Sequence, residues 1–423
     1  MPVRYKGIMI ILDGLGDNPS PELHGKTPLG AADTPNMDRL AAEGMCGLTD
    51  PLGPGIPVGT HTGSAALMGA PPGDVAMLRR GPVEAAGIGL KPREGDILLR
   101  CNFATLRPNG TGFDIIDRRA GRIQEGTETL AAELQNIPLP HGITGTLKPT
   151  TQHRAVLHLS GDHLSQQITD TDAGDRFRKQ GVHESVPLDP SDRAAQHTAD
   201  AVNAFIRIAH EHLQAHPINA RRRAAGLPVA NGIVTRGAGE HRELRSLANH
   251  YRIPTAVVAA ERTVLGLARL FNYTFHENEG FTALPDTPLE AKVQAVLQSL
   301  EQHALVFLHI KGTDICSHDR HPLDKQLMIE RIDRAIAPLI GPDRVIAITG
   351  DHTTDSTLGE HTGDPVPTLL HTPAGRRDQT TRFDETTCMT GGLGRITGTA
   401  LLASLLDAMG AITHYRPSDA PYY

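Results

Sequence analysis

The sequence predicts an α/β fold in which a mainly parallel sheet, flanked by helices, carries functional side chains at one edge. Helical segments at residues 194–212 and 290–302 lie between the strand candidates. Three apolar runs typical of buried strands are followed by charged side chains, namely residues 8–12 before Asp13, residues 304–310 before Lys311 and Asp314, and residues 345–349 before Asp351. Ligands of open α/β sheets gather at the carboxyl ends of strands, so we expect one site at one edge of this sheet.

A second, smaller domain is predicted inside the first. The chain has 423 residues, more than the roughly 250–300 at which a single core stops growing. We expect residues 1–78 and 231–423 to form the larger core domain and residues 79–230 to form an inserted α+β domain. The short β-like runs of the insert are residues 97–103, 112–116 and 155–159.

The composition is that of an ordinary globular protein and excludes several functional classes. A formal net charge of −7 gives no global positive field that would attract nucleic acid or an anionic membrane. No segment reaches the roughly 18 apolar residues of a spanning helix, and the N-terminal apolar run is too short for a signal peptide. The four cysteines form no CxxC pair, which argues against a disulfide framework or a zinc knuckle and favours the cytoplasm.

The sharpest local signal is the segment HIKGTDICSH at residues 309–318. Asp314 and His318 are four residues apart, so on a helix both project from the same face and can hold one divalent cation. Any one such pair is more often a helix cap or a surface feature. Further ligand types follow strand ends or lie close by, namely Asp13, Asp351, His352 and His361. Together they favour a metal centre.

Ten motifs resemble those of the archaeal-type cofactor-independent phosphoglycerate mutases and occur in that family's order. They extend from near residue 8 to near residue 396 and are ILDGLGD, HGKTPLGAADTPNMDRLAAEG, RRGPVEAAGIGL, RCNFATL, DRRAGRI, QHRAVLHLSGDHLS, HPINARRRAAGLP, HIKGTDICSHD, GDHTTDSTLGEHTGDPVP and FDETTCMTGGLGRI. The resemblance implies the core of the alkaline phosphatase superfamily, a mainly parallel sheet between helices, with an inserted substrate domain.

The resemblance also implies a two-metal site that works without 2,3-bisphosphoglycerate. Manganese or magnesium is expected, with zinc as an alternative because histidine is abundant. Lys311 would neutralise charge on the phosphoryl oxygens. The implied ligands are Asp314, His318 and His361 for one cation, and Asp13, Asp351, His352 and the nucleophile Thr60 for the other.

The nucleophile loop departs from the family's pattern. The family has Gly-Ser-Asp-x-x-His, whose serine accepts the phosphoryl group, whereas residues 59–64 are GTHTGS. Thr60 therefore replaces the serine, His61 the acid and Ser64 the histidine. Thr60 also suits a helix N-cap, a position that favours a bound anion. Phosphodiesterases of the superfamily use a threonine nucleophile, so we expect Thr60 still to serve as the nucleophile. The altered loop leaves the identity of the substrate open.

Basic residues of the insert are predicted to bind the substrate. Guanidinium groups bind carboxylates and phosphates through two parallel hydrogen bonds, which suits small dianions such as phosphoglycerates. For the run at residues 221–223 a solvated basic face is an equally good interpretation. The predicted substrate-binding residues are His153, Arg154, Arg118, Arg119, Arg122 and Arg222.

Three functions are compatible with these features. The first is a glycolytic isomerase that interconverts 2-phosphoglycerate and 3-phosphoglycerate through phospho-Thr60. The second is a phosphonate-pathway transferase that moves a phosphonoformyl group from a CMP-activated donor to a glycerate-type acceptor. The third, a non-catalytic homologue, is disfavoured because the candidate metal ligands are present. The expected partner is a small phosphorylated or phosphonylated carboxylate, with no nucleic acid and no membrane, and a homo-oligomer is left open.

Overall fold

A computed structural model describes residues 3–110, 112–172, 174, 181–412 and 414–422. The chain divides into two compact units. The first comprises Met1–Met77 and Glu243–Tyr423, and the second is Leu78–Arg242. Among the described residues, no helix combines the length and apolar character that crossing a bilayer requires.

The strands, in chain order, are β1 Lys6–Leu12, β2 Met45–Asp50, β3 Ile97–Pro108, β4 Phe113–Asp117, β5 Ile137–Pro138, β6 Thr144–Pro149, β7 Arg154–Ser160, β8 Gly232–Glu240, β9 Thr255–Val258, β10 Thr274–His276, β11 Leu305–Ile310, β12 Arg344–Thr349, β13 Thr353–Asp355, β14 Glu360–Thr362, β15 Val366–His371 and β16 Gly394–Thr397. The α-helices are α1 Pro28–Ala31, α2 Pro35–Ala42, α3 Thr60–Leu67, α4 Pro72–Met77, α5 Arg80–Gly87, α6 Thr127–Ala132, α7 Arg193–Gln214, α8 Pro217–Ala224, α9 Leu247–His250, α10 Arg262–Leu270, α11 Leu289–Gln302, α12 Gly312–His318, α13 Pro322–Ile336, α14 Glu385–Cys388 and α15 Gly398–Ala408. Short 3-10 helices are Pro21–Leu23, Ala120–Arg122, Pro140–Gly142, Ala337–Leu339 and Pro417–Tyr422.

The first unit is built on an eight-stranded mixed sheet with the order β10-β9-β11-β1-β12-β15-β2-β16. Strands β10, β9, β11, β1 and β12 run parallel to one another, whereas β15 is antiparallel to both β12 and β2. This confirms the predicted α/β class and its mainly parallel sheet. The apolar runs around residues 8–12, 304–310 and 345–349 are indeed β1, β11 and β12.

The central strand β1 is buried on both faces. Ile8, Ile10 and Leu12 pack against α2, α11 and α13, while Met9 and Ile11 point to the opposite face and are equally inaccessible. A continuous apolar run is typical of a parallel strand covered by helices on both sides. Burial of this strand fixes the position of the residue that follows it, Asp13.

The second unit contains a six-stranded antiparallel sheet with the order β4-β3-β7-β6-β5, in which β8 also pairs with β3. The long helix α7 covers one face, and its Phe205 is buried there together with Phe103 and Leu157. The sequence predicted residues 79–230 for this unit, whereas it comprises Leu78–Arg242. Residues 231–242, assigned to the core from the sequence, lie in this unit because β8 forms backbone hydrogen bonds with β3.

Candidate active site

The ends of three adjacent parallel strands form the site. Strand β1 lies between β11 and β12, so the residues that follow these strands share one edge of the sheet. Asp13 follows β1, and Asp351 and His352 follow β12. Lys311 follows β11 and leads into α12, which contains both Asp314 and His318 as the four-residue spacing predicted. The site thus belongs wholly to the first unit.

An inner group of possible metal ligands lies directly at the strand ends. Donor atoms of Asp13, His309 and Asp351 lie within 4.8 Å of one another, and all three side chains are buried. His309 Nε2 is 3.1 Å from Asp13 Oδ2. Ser64 Oγ donates to Asp351 Oδ2 over 2.9 Å, and the Gly14 amide donates to Asp351 Oδ1 over 3.2 Å. These bonds fix the orientation of the Asp351 carboxylate.

An outer group lies beside it. Donor atoms of Asp314, His352 and His361 are also within 4.8 Å of one another. His318 adjoins this group, with its Nε2 3.4 Å from Asp314 Oδ1 and 3.1 Å from His361 Nε2. His352 Nε2 is 3.1 Å from Asp13 Oδ1, so this ring lies between the two groups.

The structure therefore brings all the sequence-predicted ligands together. The resemblance placed His352 with Asp13 and Asp351, and its Nε2 lies 3.1 Å from Asp13 Oδ1 and 3.7 Å from Asp351 Oδ1, while its ring also stacks on His361 with centroids 3.8 Å apart. His309 was missed, although it stands in the quoted motif. No local pattern marks it, because its approach to Asp13 follows from the register of β11 against β1.

The side chains fit divalent cations. His318 Nδ1 and His361 Nδ1 each lie 2.8 Å from a backbone carbonyl, of Gly359 and Val58 respectively. Hydrogen bonds of this kind place the proton on Nδ1 and leave the Nε2 lone pair for a metal. Likewise, His352 Nδ1 lies 3.0 Å from Thr354 Oγ1, whose hydroxyl donates to Asp314 Oδ1 over 2.8 Å.

The electrostatics of the site favour added positive charge. Lys311 Nζ lies 2.5 Å from Asp314 Oδ2 and 3.0 Å from Asp13 Oδ2. Burial alone would lower the pKa of Lys311, but these two carboxylates outweigh it and hold the pKa above its ordinary value. Burial also disfavours a charged His352, yet Asp351 and Asp13 raise its pKa to about 9. Three buried carboxylates surround these groups, an excess of negative charge that metal ions would offset.

Thr60 lies beside the candidate metal ligands. It is the first residue of α3, and the N-cap is Gly59, so the interpretation of Thr60 as the N-cap is wrong. Its hydroxyl is therefore available to the site. Thr60 Oγ1 lies 3.4 Å from Asp13 Oδ2 and 3.4 Å from His352 Nε2, and it accepts a hydrogen bond of 3.2 Å from Lys311 Nζ.

The predicted substrate-binding residues lie in the second unit, and two of them have internal partners. Arg118 forms a buried two-point ion pair with Asp172, with Nε–Oδ1 3.1 Å and Nη2–Oδ2 2.5 Å. Arg222 donates to the backbone carbonyls of Pro228 and Ala120 over 2.8 and 2.9 Å. These two guanidinium groups stabilise the unit itself.

The remaining predicted residues form a basic cluster around His153. Burial, together with the charges of Arg154, Arg119, Arg100 and Arg122, lowers the pKa of His153 to about 3. Arg100, to which the sequence assigned no role, is itself buried and lies 3.3 Å from Glu84 Oε1. So much positive charge at a buried imidazole marks a site for an anion.

The fold and the site define a metalloenzyme, and the family model of the metalloenzyme superfamily matches residues 5–408. The 2,3-bisphosphoglycerate-independent phosphoglycerate mutase of Methanopyrus kandleri is 40% identical over 98% of each chain, and that of Methanocorpusculum labreanum is 38% identical over 97% of this chain and 98% of its own. Two solved structures are also similar. The PH0037 protein of Pyrococcus horikoshii is 34% identical with a TM-score of 0.81, covering 98% of this chain and 100% of its own.

The cofactor-independent phosphoglycerate mutase of Thermoplasma acidophilum is 33% identical with a TM-score of 0.65, covering 96% of this chain and 100% of its own. The chain therefore belongs to the 2,3-bisphosphoglycerate-independent phosphoglycerate mutase family, as its motifs predicted. It is a metal-dependent enzyme of the phosphoryl-transfer class, and the prediction of a non-catalytic homologue is not supported.

Proposed function

We propose that this enzyme interconverts 2-phosphoglycerate and 3-phosphoglycerate, with Thr60 carrying the phosphoryl group between the two hydroxyls. The observation that supports it best is the position of Thr60 Oγ1, within 3.5 Å of Asp13, His352 and Lys311 at the start of α3. The relatives of Methanopyrus kandleri and Methanocorpusculum labreanum, each aligned over 98% of its own length, are phosphoglycerate mutases by name. A mutase of this kind needs a covalent carrier, because the phosphoryl group returns to a different oxygen of the same molecule.

Two divalent cations belong to the proposed site. The residues that would hold them are Asp13, Asp314, His318, Asp351, His352 and His361, with Thr60 beside them. Manganese or magnesium, with zinc as the alternative, would supply Lewis acidity to the reacting hydroxyl and the phosphoryl oxygens.

The chain's own groups prepare Thr60 for attack. Lys311 Nζ donates toward Thr60 Oγ1 and stays charged, so it stabilises both an alkoxide and the equatorial phosphoryl oxygens. The first amides of an α-helix have no intrahelical acceptor, and Thr60 is the first residue of α3, so these amides and the helix dipole favour a phosphoryl group at this position. Burial of Thr60 keeps water away from the phosphorylated side chain.

The glycerate is assigned to the basic cluster of the second unit. Arg154, Arg119 and Arg122 supply positive charge around His153, whose low pKa keeps its ring neutral. Isomerisation rather than hydrolysis requires that phospho-Thr60 return its phosphoryl group to the other hydroxyl of glycerate and not to water.

Turnover of the Thr60 variants tests this function. Purified protein, stripped of metal and reloaded with manganese, is incubated with 3-phosphoglycerate, and 31P NMR resolves the two isomers. Thr60→Ala should abolish interconversion, whereas Thr60→Ser should retain or increase it because serine keeps the hydroxyl. Native protein that interconverts neither isomer would contradict the proposal, as would full activity of Thr60→Ala.

The altered residues of the nucleophile loop leave one alternative substrate open. Ser64, which stands where the family has a histidine, hydrogen-bonds Asp351 over 2.9 Å, so the surroundings of the inner ligands are altered. The alternative is transfer of a phosphonoformyl group from a CMP-activated donor to a glycerate-type acceptor, again through Thr60. This alternative would be favoured over the mutase if the protein is inactive on phosphoglycerates and releases CMP only when the acceptor is present.

We propose a compartment from the state of the cysteines and a pathway from the mutase activity. Cys46, Cys101, Cys316 and Cys388 are all free thiols in the structure, which suits a reducing cytoplasm. A mutase acting there would serve glycolysis or its reversal. A homo-oligomeric state stays a prediction.

A further inference from the structure

Glu261 is a buried carboxylate to which the sequence motifs assign no role, and it lies at the same edge of the sheet as the site. Strand β9 runs parallel to β11, in a register that places Val258 opposite Leu308. The chain continues three residues past each of these positions to reach Glu261 and Lys311. Glu261 therefore follows a fourth parallel strand, on the side of the site where Lys311 lies.

Helix capping does not account for the Glu261 side chain. The residue precedes α10, yet its carboxylate forms no capping hydrogen bond with the amides of the first turn. Its Oε1 accepts a hydrogen bond of 3.1 Å from the Thr263 hydroxyl instead. Helix α10 packs against α3, the helix that begins with Thr60. The carboxylate is thus buried beside the elements that position Thr60.

The charge of Glu261 acts on Lys311. Burial lowers the pKa of this lysine, but the surrounding carboxylates, Glu261 among them, raise it above the ordinary value. Two of the others, Asp13 and Asp314, lie 3.0 and 2.5 Å from Nζ. Both belong to the groups of possible metal ligands found among the described residues, whereas Glu261 belongs to neither group.

This difference matters once the cations are bound. Asp13 and Asp314 then share their charge between Lys311 and the metal, so each holds the lysine less strongly. An ammonium group close to divalent cations is also repelled by them, and the repulsion is strong in a buried site. A carboxylate that binds no cation keeps its whole charge for Lys311, whose Nζ lies 3.2 Å from Thr60 Oγ1.

We propose that Glu261 is a positioning residue that holds the Lys311 ammonium beside Thr60 in the metal-loaded enzyme, where Lys311 meets the phosphoryl oxygens. The proposal rests on the proposed two-cation site and on the role of Lys311 there, but not on the identity of the substrate. A carboxylate without this role would only repel a nearby phosphoryl group. The two roles therefore predict effects of opposite sign on anion binding when the charge of Glu261 is removed.

The affinity for inorganic phosphate tests the proposal. Isothermal titration calorimetry of magnesium-loaded protein gives the Kd for phosphate in the native protein, in Glu261→Gln and in Glu261→Asp. The matched control is Asp384→Asn, since Asp384 is also a buried carboxylate before a helix, bonded to the Thr387 amide over 2.7 Å and outside the site. Lys311→Met, alone and combined with Glu261→Gln, shows whether the effect passes through the lysine. Circular dichroism and metal analysis confirm that each variant is folded and loaded.

We expect Glu261→Gln to bind phosphate about 10–100-fold more weakly than the native protein, which corresponds to one hydrogen bond to a charged group. Asp384→Asn should keep the native affinity. Combined with Lys311→Met, Glu261→Gln should cause no further loss. If Glu261→Gln does not fold, Glu261→Asp decides instead, because it draws the charge back by one methylene group and should also weaken phosphate binding.

Phosphate binding as tight as in the native protein, or tighter, in Glu261→Gln would overturn the proposal, and the same result in Glu261→Asp would do so if that variant has to decide. An equal loss with and without Lys311 would also overturn it, because the effect would not pass through the lysine. Native protein that binds no phosphate would overturn it as well, since Lys311 would meet no anion. Phosphate affinities as expected, in a protein that does not interconvert phosphoglycerates, would contradict the mutase function alone.

Discussion

The Nε2 atoms of His318 and His361 lie 3.1 Å apart. Each ring has its Nδ1 within 2.8 Å of a backbone carbonyl, so both Nε2 atoms present lone pairs when the imidazoles are neutral. Two lone pairs at this distance repel each other, and the Asp314 carboxylate nearby adds negative charge. A cation placed among the three would relieve the repulsion, so this geometry suits metal binding.

Metal removal should therefore destabilise the protein. A ligand that binds only the folded state adds about 2.7 kcal/mol to the free energy of unfolding at about 100 times its Kd. We expect chelation to lower the Tm of the native protein and added manganese to restore it fully. In His318→Ala, added manganese should raise the Tm of the chelated protein by less. Equal Tm values with and without metal would contradict the metal centre.

Arg154 and Arg222 should respond differently to truncation, although both were predicted to bind substrate. Arg222 donates to two backbone carbonyls of its own unit, so Arg222→Ala should lower the stability and leave the KM for phosphoglycerate nearly unchanged. Arg154→Ala should weaken transition-state binding by about 2–5 kcal/mol if it pairs with a desolvated anion. Steady-state kinetics and urea unfolding of both variants separate the roles. An unchanged kcat/KM in Arg154→Ala would show that Arg154 is not a substrate ligand.

The pKa of His153 should report on anion binding. Burial and the surrounding arginines lower this pKa from 6.5 to about 3. A folded-state pKa below the unfolded value means that the neutral imidazole stabilises the fold above pH 6.5, and that this contribution is lost as the pH falls toward 3. An anion bound among the arginines offsets their charge, so phosphoglycerate should raise the pKa. NMR titration of His153 with and without ligand measures it, and His153→Asn identifies the resonance. A pKa that does not move on saturation would place the anion elsewhere.

Lys325 should be a major determinant of stability around the site. Its side chain and that of Asp17 are fully buried, with Nζ 2.7 Å from Asp17 Oδ2. Nζ also donates to the carbonyls of Gly16 and Thr354 over 3.1 Å, so it joins the loops that follow Asp13 and His352.

Lys325→Met leaves a buried carboxylate without its partner, which costs about 3–5 kcal/mol of unfolding free energy. Urea unfolding measures this loss, and Lys325→Met with Asp17→Asn should recover part of it. The exposed pair Arg245–Asp74 is the control, where Arg245→Ala should change little. A loss below about 1 kcal/mol in Lys325→Met would contradict this account.

The sequence was sufficient to predict the central sheet and the convergence of the site. Apolar runs such as residues 8–12 have few alternatives to a buried strand, and parallel strands necessarily end at one edge. The family motifs then identified Asp13, Asp314, His318, Asp351, His352 and His361 as a set, and the structure gathers them.

What the sequence did not predict depends on pairings between distant segments. The position of His309 follows from the register of β11 against β1, which no local pattern encodes. The ion pair of Arg118 with Asp172 likewise joins segments more than fifty residues apart in the sequence. The boundary near residue 231 was placed too early because β8 pairs with β3, more than a hundred residues earlier in the chain. Such partners are set by tertiary packing rather than by composition.

The covalent role of Thr60 is tested most directly by trapping its phosphorylated form. Manganese-loaded enzyme is mixed with 3-phosphoglycerate, quenched in acid within milliseconds, digested and analysed by tandem mass spectrometry. We predict a phosphate on Thr60, formed before 2-phosphoglycerate accumulates and absent from metal-free protein, because Oγ1 lies within 3.5 Å of Asp13, Lys311 and His352. Interconversion at the native rate with Thr60 unmodified at every quench time would contradict it and require direct transfer between two bound substrates.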